Sequence, residues 1–216
     1  MVGVAKKCGV GLGFHSGGGK SSENYRVCGE ETGANFEIKT SGRYTYELGR
    51  ALSQSSDATD HKLWLDWYDF CLEMAVEGAF AEHTAQRASA RGFIDCSLVA
   101  VGRDAGDPYG SPEGLREVLR SLPPSADHMF WFEYNFLYIL KGRSLGDHSP
   151  EGYRQRQRFY AISDEGRLLF AKNIAAYIIF LAESTGLISL ELAQEVSGKL
   201  EATGDYLSFL AAIAPN

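Results

Sequence analysis

His15 closes a stretch, Gly9-Val10-Gly11-Leu12-Gly13-Phe14-His15, in which small and large side chains alternate. Read as a strand, it sends Gly9, Gly11, Gly13 and His15 to one face and Val10, Leu12 and Phe14 to the other. The apolar face calls for helices to cover it. The opposite face carries no side chain until the imidazole, which a glycine-rich turn and Lys20 follow. A parallel α/β barrel builds a strand in this way when its C-terminal rim holds a site. An enzyme is the leading expectation.

Three further segments repeat the pattern of one apolar and one polar face. Asn35, Glu37 and Lys39 oppose Phe36, Ile38 and Thr40. Asp95 and Ser97 oppose Ile94, Cys96 and Leu98, while Trp131, Glu133 and Asn135 oppose Phe130, Phe132 and Tyr134. In a narrow, dehydrated barrel lumen such groups must pair with one another, with a metal or with a substrate. His15, Lys20, Glu37, Lys39, Asp95 and Glu133 are thus candidates for one polar cluster. The plainer reading leaves Glu37 and Lys39 facing solvent on a half-buried strand.

Gly17-Gly18-Gly19-Lys20-Ser21 invites comparison with a nucleotide-binding P-loop, but the glycine that motif needs falls on Phe14. The turn can still offer backbone N–H groups and one cation to a carboxylate or phosphate. Of the five histidines, His61 and His148 read as surface residues. His128 reads as the start of a strand, at the end away from a barrel's active rim. His83 reads as a helix-face residue, and His15 stands apart by its position. His15 with carboxylates from other elements would suit Zn, Mn, Co or Ni.

The elements that would position these groups are four strand candidates: Val10–His15, Phe36–Thr40, Phe93–Val101 and Met129–Leu137. Helical patterns cover Tyr44–Leu52, His61 to about Ala85, a helix capped by Ser111-Pro112-Glu113, and Gly152 to about Glu183 with a break near Ser163. Two shorter helices follow, around Leu190–Ser197 and Asp205–Ala212. Strands alternating with helices predict parallel α/β architecture. Four strands cannot close a (β/α)8 barrel, so the expectation is part of such a barrel with additional C-terminal helices. On that reading 1–216 is a single domain, strand–helix units over 1–140 and mostly helix over 141–216. It would be the C-terminal half of a larger protein, or a chain completed by a homo-oligomer partner.

The 216 residues carry a formal charge of −7, which disfavours a nucleic-acid binder needing a basic face. The run Arg154-Gln155-Arg156-Gln157-Arg158 reads as a solvated helix face. Cys8, Cys28, Cys71 and Cys96 lack the spacing of a disulfide framework or zinc site and are expected to be reduced and packed. The longest apolar run, Ile174 to Ala182, is about half a membrane span. The expectation is a soluble, cytoplasmic protein.

The motif His15-Ser16-Gly17-x-x-Lys20-Ser21, followed by Lys39-Thr40-Ser41-Gly42-x-Tyr44, resembles the tagaturonate/fructuronate epimerase family. The resemblance implies a divalent-metal-dependent barrel enzyme that inverts C4 of a ketohexuronate. It implies His15 and His83 as metal ligands, with Ser16, Lys20 and Lys39 binding substrate beside Glu37. The metal would act as Lewis acid while the lysines orient the carboxylate. Retro-aldol cleavage of C3–C4 and re-addition would invert the centre, with Glu133 or Asp95 as base. Two alternatives stand beside this. One is another barrel aldolase or isomerase acting on sugars or sugar phosphates, with Lys39 as a Schiff-base nucleophile. The other is a non-catalytic helical interaction module built on Trp64, Trp67, Phe70 and the C-terminal helices.

Overall fold

A computed structural model of the protein describes residues 2–14, 22–33, 36–39, 41–103, 107–140 and 150–214. Helix accounts for 76% of it, and two short parallel strands make its one sheet among the described residues. The expected barrel portion is therefore corrected to a predominantly helical fold. The elements are α1 (Val2–Cys8), β1 (Leu12–Phe14), α2 (Ser22–Thr32), β2 (Phe36–Ile38), α3 (Ser41–Gln54), α4 (Ala58–Ala79) and α5 (Thr84–Ala100). After a short 3-10 turn at Pro108–Gly110 come α6 (Pro112–Arg120), α7 (Met129–Ile139), α8 (Pro150–Tyr160), α9 (Asp164–Ser184), α10 (Leu190–Glu201) and α11 (Tyr206–Ile213). The chain divides into two compact units, Met1–Ala51 with Asp164–Asn216, and Leu52–Ser163.

Two of the four strand candidates are helices, and the reason is periodicity. Phe93–Val101 lies within α5, where Ala90, Ile94, Ser97 and Leu98 are buried at spacings of three and four. Met129–Leu137 lies within α7, where Phe130, Trp131, Asn135 and Tyr138 are buried. Apart from Glu133 and Asn135 its residues are apolar or aromatic on every side, so alternation alone could not choose; length without a breaker favours the helix. Asp95 and Glu133 thus sit on helices, not on strands lining a lumen.

The Leu52–Ser163 unit packs around aromatic rings from α4 and α7. Trp64, Trp67 and Trp131 are all but fully buried, with Trp67 stacked on Tyr138 at 5.9 Å and edge-on to Phe159 at 5.5 Å. The tryptophans are core, not an interaction surface. Gly78 lets three helices close up: a Cβ there would stand 2.8 Å from both the Ala90 Cβ and the Tyr134 hydroxyl. Glu73 of α4 takes Arg116 and Arg120 of α6, each at 2.8 Å. Ser111 caps α6 as its sequence predicts, accepting from the Gly114 N–H at 3.0 Å.

His128 is not at a strand start. It occupies the N-cap position of α7, is 2% exposed, and lies 2.6 Å through Nδ1 from the Tyr68 hydroxyl. Burial lowers its pKa, against the opposing pull of the neighbouring Asp127 carboxylate. Burial also raises the Tyr68 pKa, so a protonated phenol and a neutral imidazole share this hydrogen bond. A second proton on the ring would put a charge into that buried site. The folded unit therefore refuses a proton that the unfolded chain accepts near the ordinary value of 6.5. This part of its stability is complete above that pH and is lost as pH falls from it toward the lowered folded value. Urea unfolding followed by tryptophan fluorescence reads this unit alone, since its residues include all three tryptophans of the chain. His128→Gln is expected to flatten the loss between pH 7.5 and 5, by up to about 1.4 kcal/mol per pH unit. Equal pH dependence in both proteins would contradict the assignment.

In the other unit β1 and β2 run parallel, with Leu12 opposite Phe36, Gly13 opposite Glu37 and Phe14 opposite Ile38. Their apolar face turns toward Tyr25 of α2, which meets Phe14 edge-on at 6.1 Å and Phe180 of α9 at 6.2 Å. Tyr25 is wholly buried, and burial first, then Tyr177 beside it, push its pKa up to about 12. Gly29 permits α2 to lie against the Thr185 backbone; a Cβ there would collide with the Thr185 carbonyl.

Candidate functional site

The residues expected to converge are distributed over both units. His15, Ser16 and Lys20 lie outside the described residues. Glu37 is exposed on β2, paired in register with Gly13. Lys39 is exposed as well, and its backbone N–H donates to the Phe14 carbonyl at 2.9 Å. In the Leu52–Ser163 unit, Asp95 accepts the Tyr109 hydroxyl at 2.6 Å, with the Arg91 guanidinium 4.5 Å above the Tyr109 ring. Burial and then this bond raise the Tyr109 pKa, so the phenol stays protonated and anchors the 3-10 turn to α5. Glu133 is exposed on α7, and His83 is an exposed N-cap of α5 that accepts from the Gln86 N–H at 3.5 Å. Among the described residues no hydrogen bond joins Asp95, Glu133 and His83, and no group of three or more His, Cys, Asp or Glu could hold a metal.

A different feature assembles in the other unit. Helix α9 presents Arg167, Phe170, Ile174 and Ile178 at spacings of three and four, which places them along one straight face. Helix α11 turns Tyr206, Phe209, Leu210 and Ile213 toward the same space, and Val196 and Leu200 of α10 and Tyr44 of α3 close its sides. The result is an open groove of about 550 Å³. Arg167 is its one charged lining residue among those described. Ile178, Ile213 and Leu210 remain 51%, 52% and 39% exposed, so water meets apolar surface along the groove.

Polar contacts hold the walls in place. The Lys172 ammonium of α9 donates to the Glu201 carbonyl at 2.9 Å and the Thr203 carbonyl at 2.8 Å, which satisfies acceptors left over at the end of α10. Asp205 then caps α11, accepting from the Ser208 N–H at 2.9 Å. On α3, Arg43 pairs with the buried Glu47 carboxylate at 2.5 Å and lies 4.7 Å over the Tyr177 ring of α9, fixing Tyr44 beside the groove. No helix among the described residues is long and apolar enough to cross a membrane.

The chain matches no protein-family model, no curated protein and no solved structure. The sequence did carry a signal for the groove: Tyr206–Ile213 is more apolar than one packed face requires, and Ile174–Ala182 is apolar all round. The alternative reading of a helical interaction module already includes these C-terminal helices.

Proposed function

We propose that this chain is a helical binding module that carries an elongated apolar ligand in the groove along α9. One observation carries the reading: side chains from four helices line a single open apolar space of about 550 Å³. Ligand clefts span roughly 300–1,000 Å³ with mainly apolar walls and few polar groups. Apolar side chains left this exposed in a row favour occupancy by something that removes them from water. The neutral fluorophore N-phenyl-1-naphthylamine tests the reading, because its emission rises on leaving water. Saturable binding is expected, weakened at least about tenfold by Ile178→Glu, which sets a carboxylate against the bound ring. Ile178 is half exposed, so that variant keeps its fold, as circular dichroism would verify. Unsaturable binding, or equal binding by the variant, would overturn the proposal.

A second reading, a divalent-metal-dependent epimerase of a ketohexuronate, is favoured by the parallel pairing of β1 with β2. Their C-terminal ends lie side by side, where the resemblance puts His15 and Lys39. A bound divalent cation would supply Lewis acidity there. Incubation of the purified protein with Mn or Zn and tagaturonate, followed by NMR, tests it. Conversion that is lost in His15→Ala supports this reading, and no conversion with either metal contradicts it.

A further inference from the structure

We infer that the groove ligand is a single-chain anionic amphiphile, a saturated carboxylate of about fourteen carbons, its head at Arg167 and its tail along α9. The inference rests on the binding-module reading and adds the chemistry of the ligand. Apolar walls with one cation at an end are complementary to an apolar chain with one anion at an end. Arg167 lies in the first turn of α9, and Phe170, Ile174 and Ile178 continue from it along the same face. From Arg167 to Ile178 the helix rises about 16 Å, the length of roughly thirteen carbon–carbon bonds in an extended chain. The groove volume of about 550 Å³ holds such a chain with room to spare.

The head is recognised by charge and geometry. A guanidinium offers a carboxylate two parallel N–H bonds, and apolar surroundings strengthen them. The Arg167 guanidinium now meets the Asp164 carboxylate at 3.2 Å, with Asp164 81% exposed. An ion pair that open to solvent is weak, so a carboxylate delivered by an apolar tail displaces it. The positive partial charge at the N-terminal end of α9 is offset by the Asp164 and Glu165 carboxylates of its first turn, so recognition of the head rests on the Arg167 guanidinium. Tyr44 and Tyr206 also line the groove. A membrane-sized bilayer patch is a poorer fit than one chain, because α3, α10 and α11 flank the apolar face and leave a groove, not a flat surface.

Displacement of N-phenyl-1-naphthylamine by tetradecanoate and by tetradecanol separates this inference from the reading beneath it. Tetradecanoate is expected to displace the fluorophore at about tenfold lower concentration than the alcohol, a margin set by one charge-assisted hydrogen-bonded pair. Arg167→Gln should erase that margin, so that acid and alcohol displace the fluorophore at equal concentrations when each is referred to the variant's own fluorophore affinity. Equal displacement by acid and alcohol, or a margin that survives Arg167→Gln, would overturn the anionic head. Failure of the fluorophore itself to bind would overturn both.

Discussion

Trp67→Ala is expected to cost the Leu52–Ser163 unit about 3–5 kcal/mol, enough to unfold it near physiological temperature. The indole is fully buried, packs against Trp131 at 5.4 Å as well as Tyr138 and Phe159, and donates through Nε1 to the Asn135 carbonyl at 2.9 Å. Truncation leaves a cavity where helices α4, α7 and α8 meet and strips the Asn135 carbonyl of a donor. Trp67→Phe should recover most of the packing and none of the hydrogen bond, so it falls between the two. Urea titration followed by the remaining tryptophans measures both. A loss below about 1 kcal/mol for the alanine variant would mean that the aromatic cluster is not the core of this unit.

Asp60→Ala is expected to cost the same unit about 2–4 kcal/mol, for a different physical reason. The carboxylate is fully buried in the first turn of α4 and accepts from the Ser55 hydroxyl at 2.9 Å, the Ser163 N–H at 2.9 Å and the Ser163 hydroxyl at 2.5 Å. Ser55 stands where the chain enters the unit and Ser163 where it leaves. One side chain thus ties both ends of the segment, and its loss orphans donors instead of opening a void. The signature is local: protease sensitivity should rise between α8 and α9 before the tryptophan signal changes. Asp60→Asn keeps an acceptor for one or two donors and should lose about half as much. Simultaneous exposure of Trp67 and the Ser163 segment in Asp60→Ala would show that the tie has no local character.

What the sequence made readable was local. Ser111-Pro112-Glu113 specified a helix start through a cap and a fixed φ, and both act within one turn. The helix expected around Asp205–Ala212 is α11, and the break near Ser163 fell between α8 and α9. Strand candidates depended on which period a mixed apolar run obeys, and partners elsewhere in the chain settle that. Ile94 and Leu98 satisfy alternation and a helical stripe alike, and only packing on α4 and α7 chose the helix. The two strands that did form have three residues each, so Gly13 and Glu37 face outward on a small sheet and not into a lumen. Helix α2, which covers that sheet, went unread because Ser22–Thr32 is polar, with few apolar side chains to mark a stripe.

The groove was legible only through the alternative of an interaction module that includes the C-terminal helices, and its lining residues were not, for a related reason. The titratable candidates lie elsewhere, whereas the groove is made of apolar side chains on four helices that look like core residues until packing leaves them uncovered. Cys96 and Cys8 teach the same point in reverse: both were expected to be packed, and both are exposed, while Cys28 and Cys71 are buried.

The groove is tested most directly by isoleucine methyl NMR during titration with N-phenyl-1-naphthylamine. The Ile174, Ile178 and Ile213 methyl resonances should shift together and saturate together, while that of Ile94, buried in the core of the other unit, stays in place. Stationary groove methyls, or an Ile94 shift as large as theirs, would contradict the account.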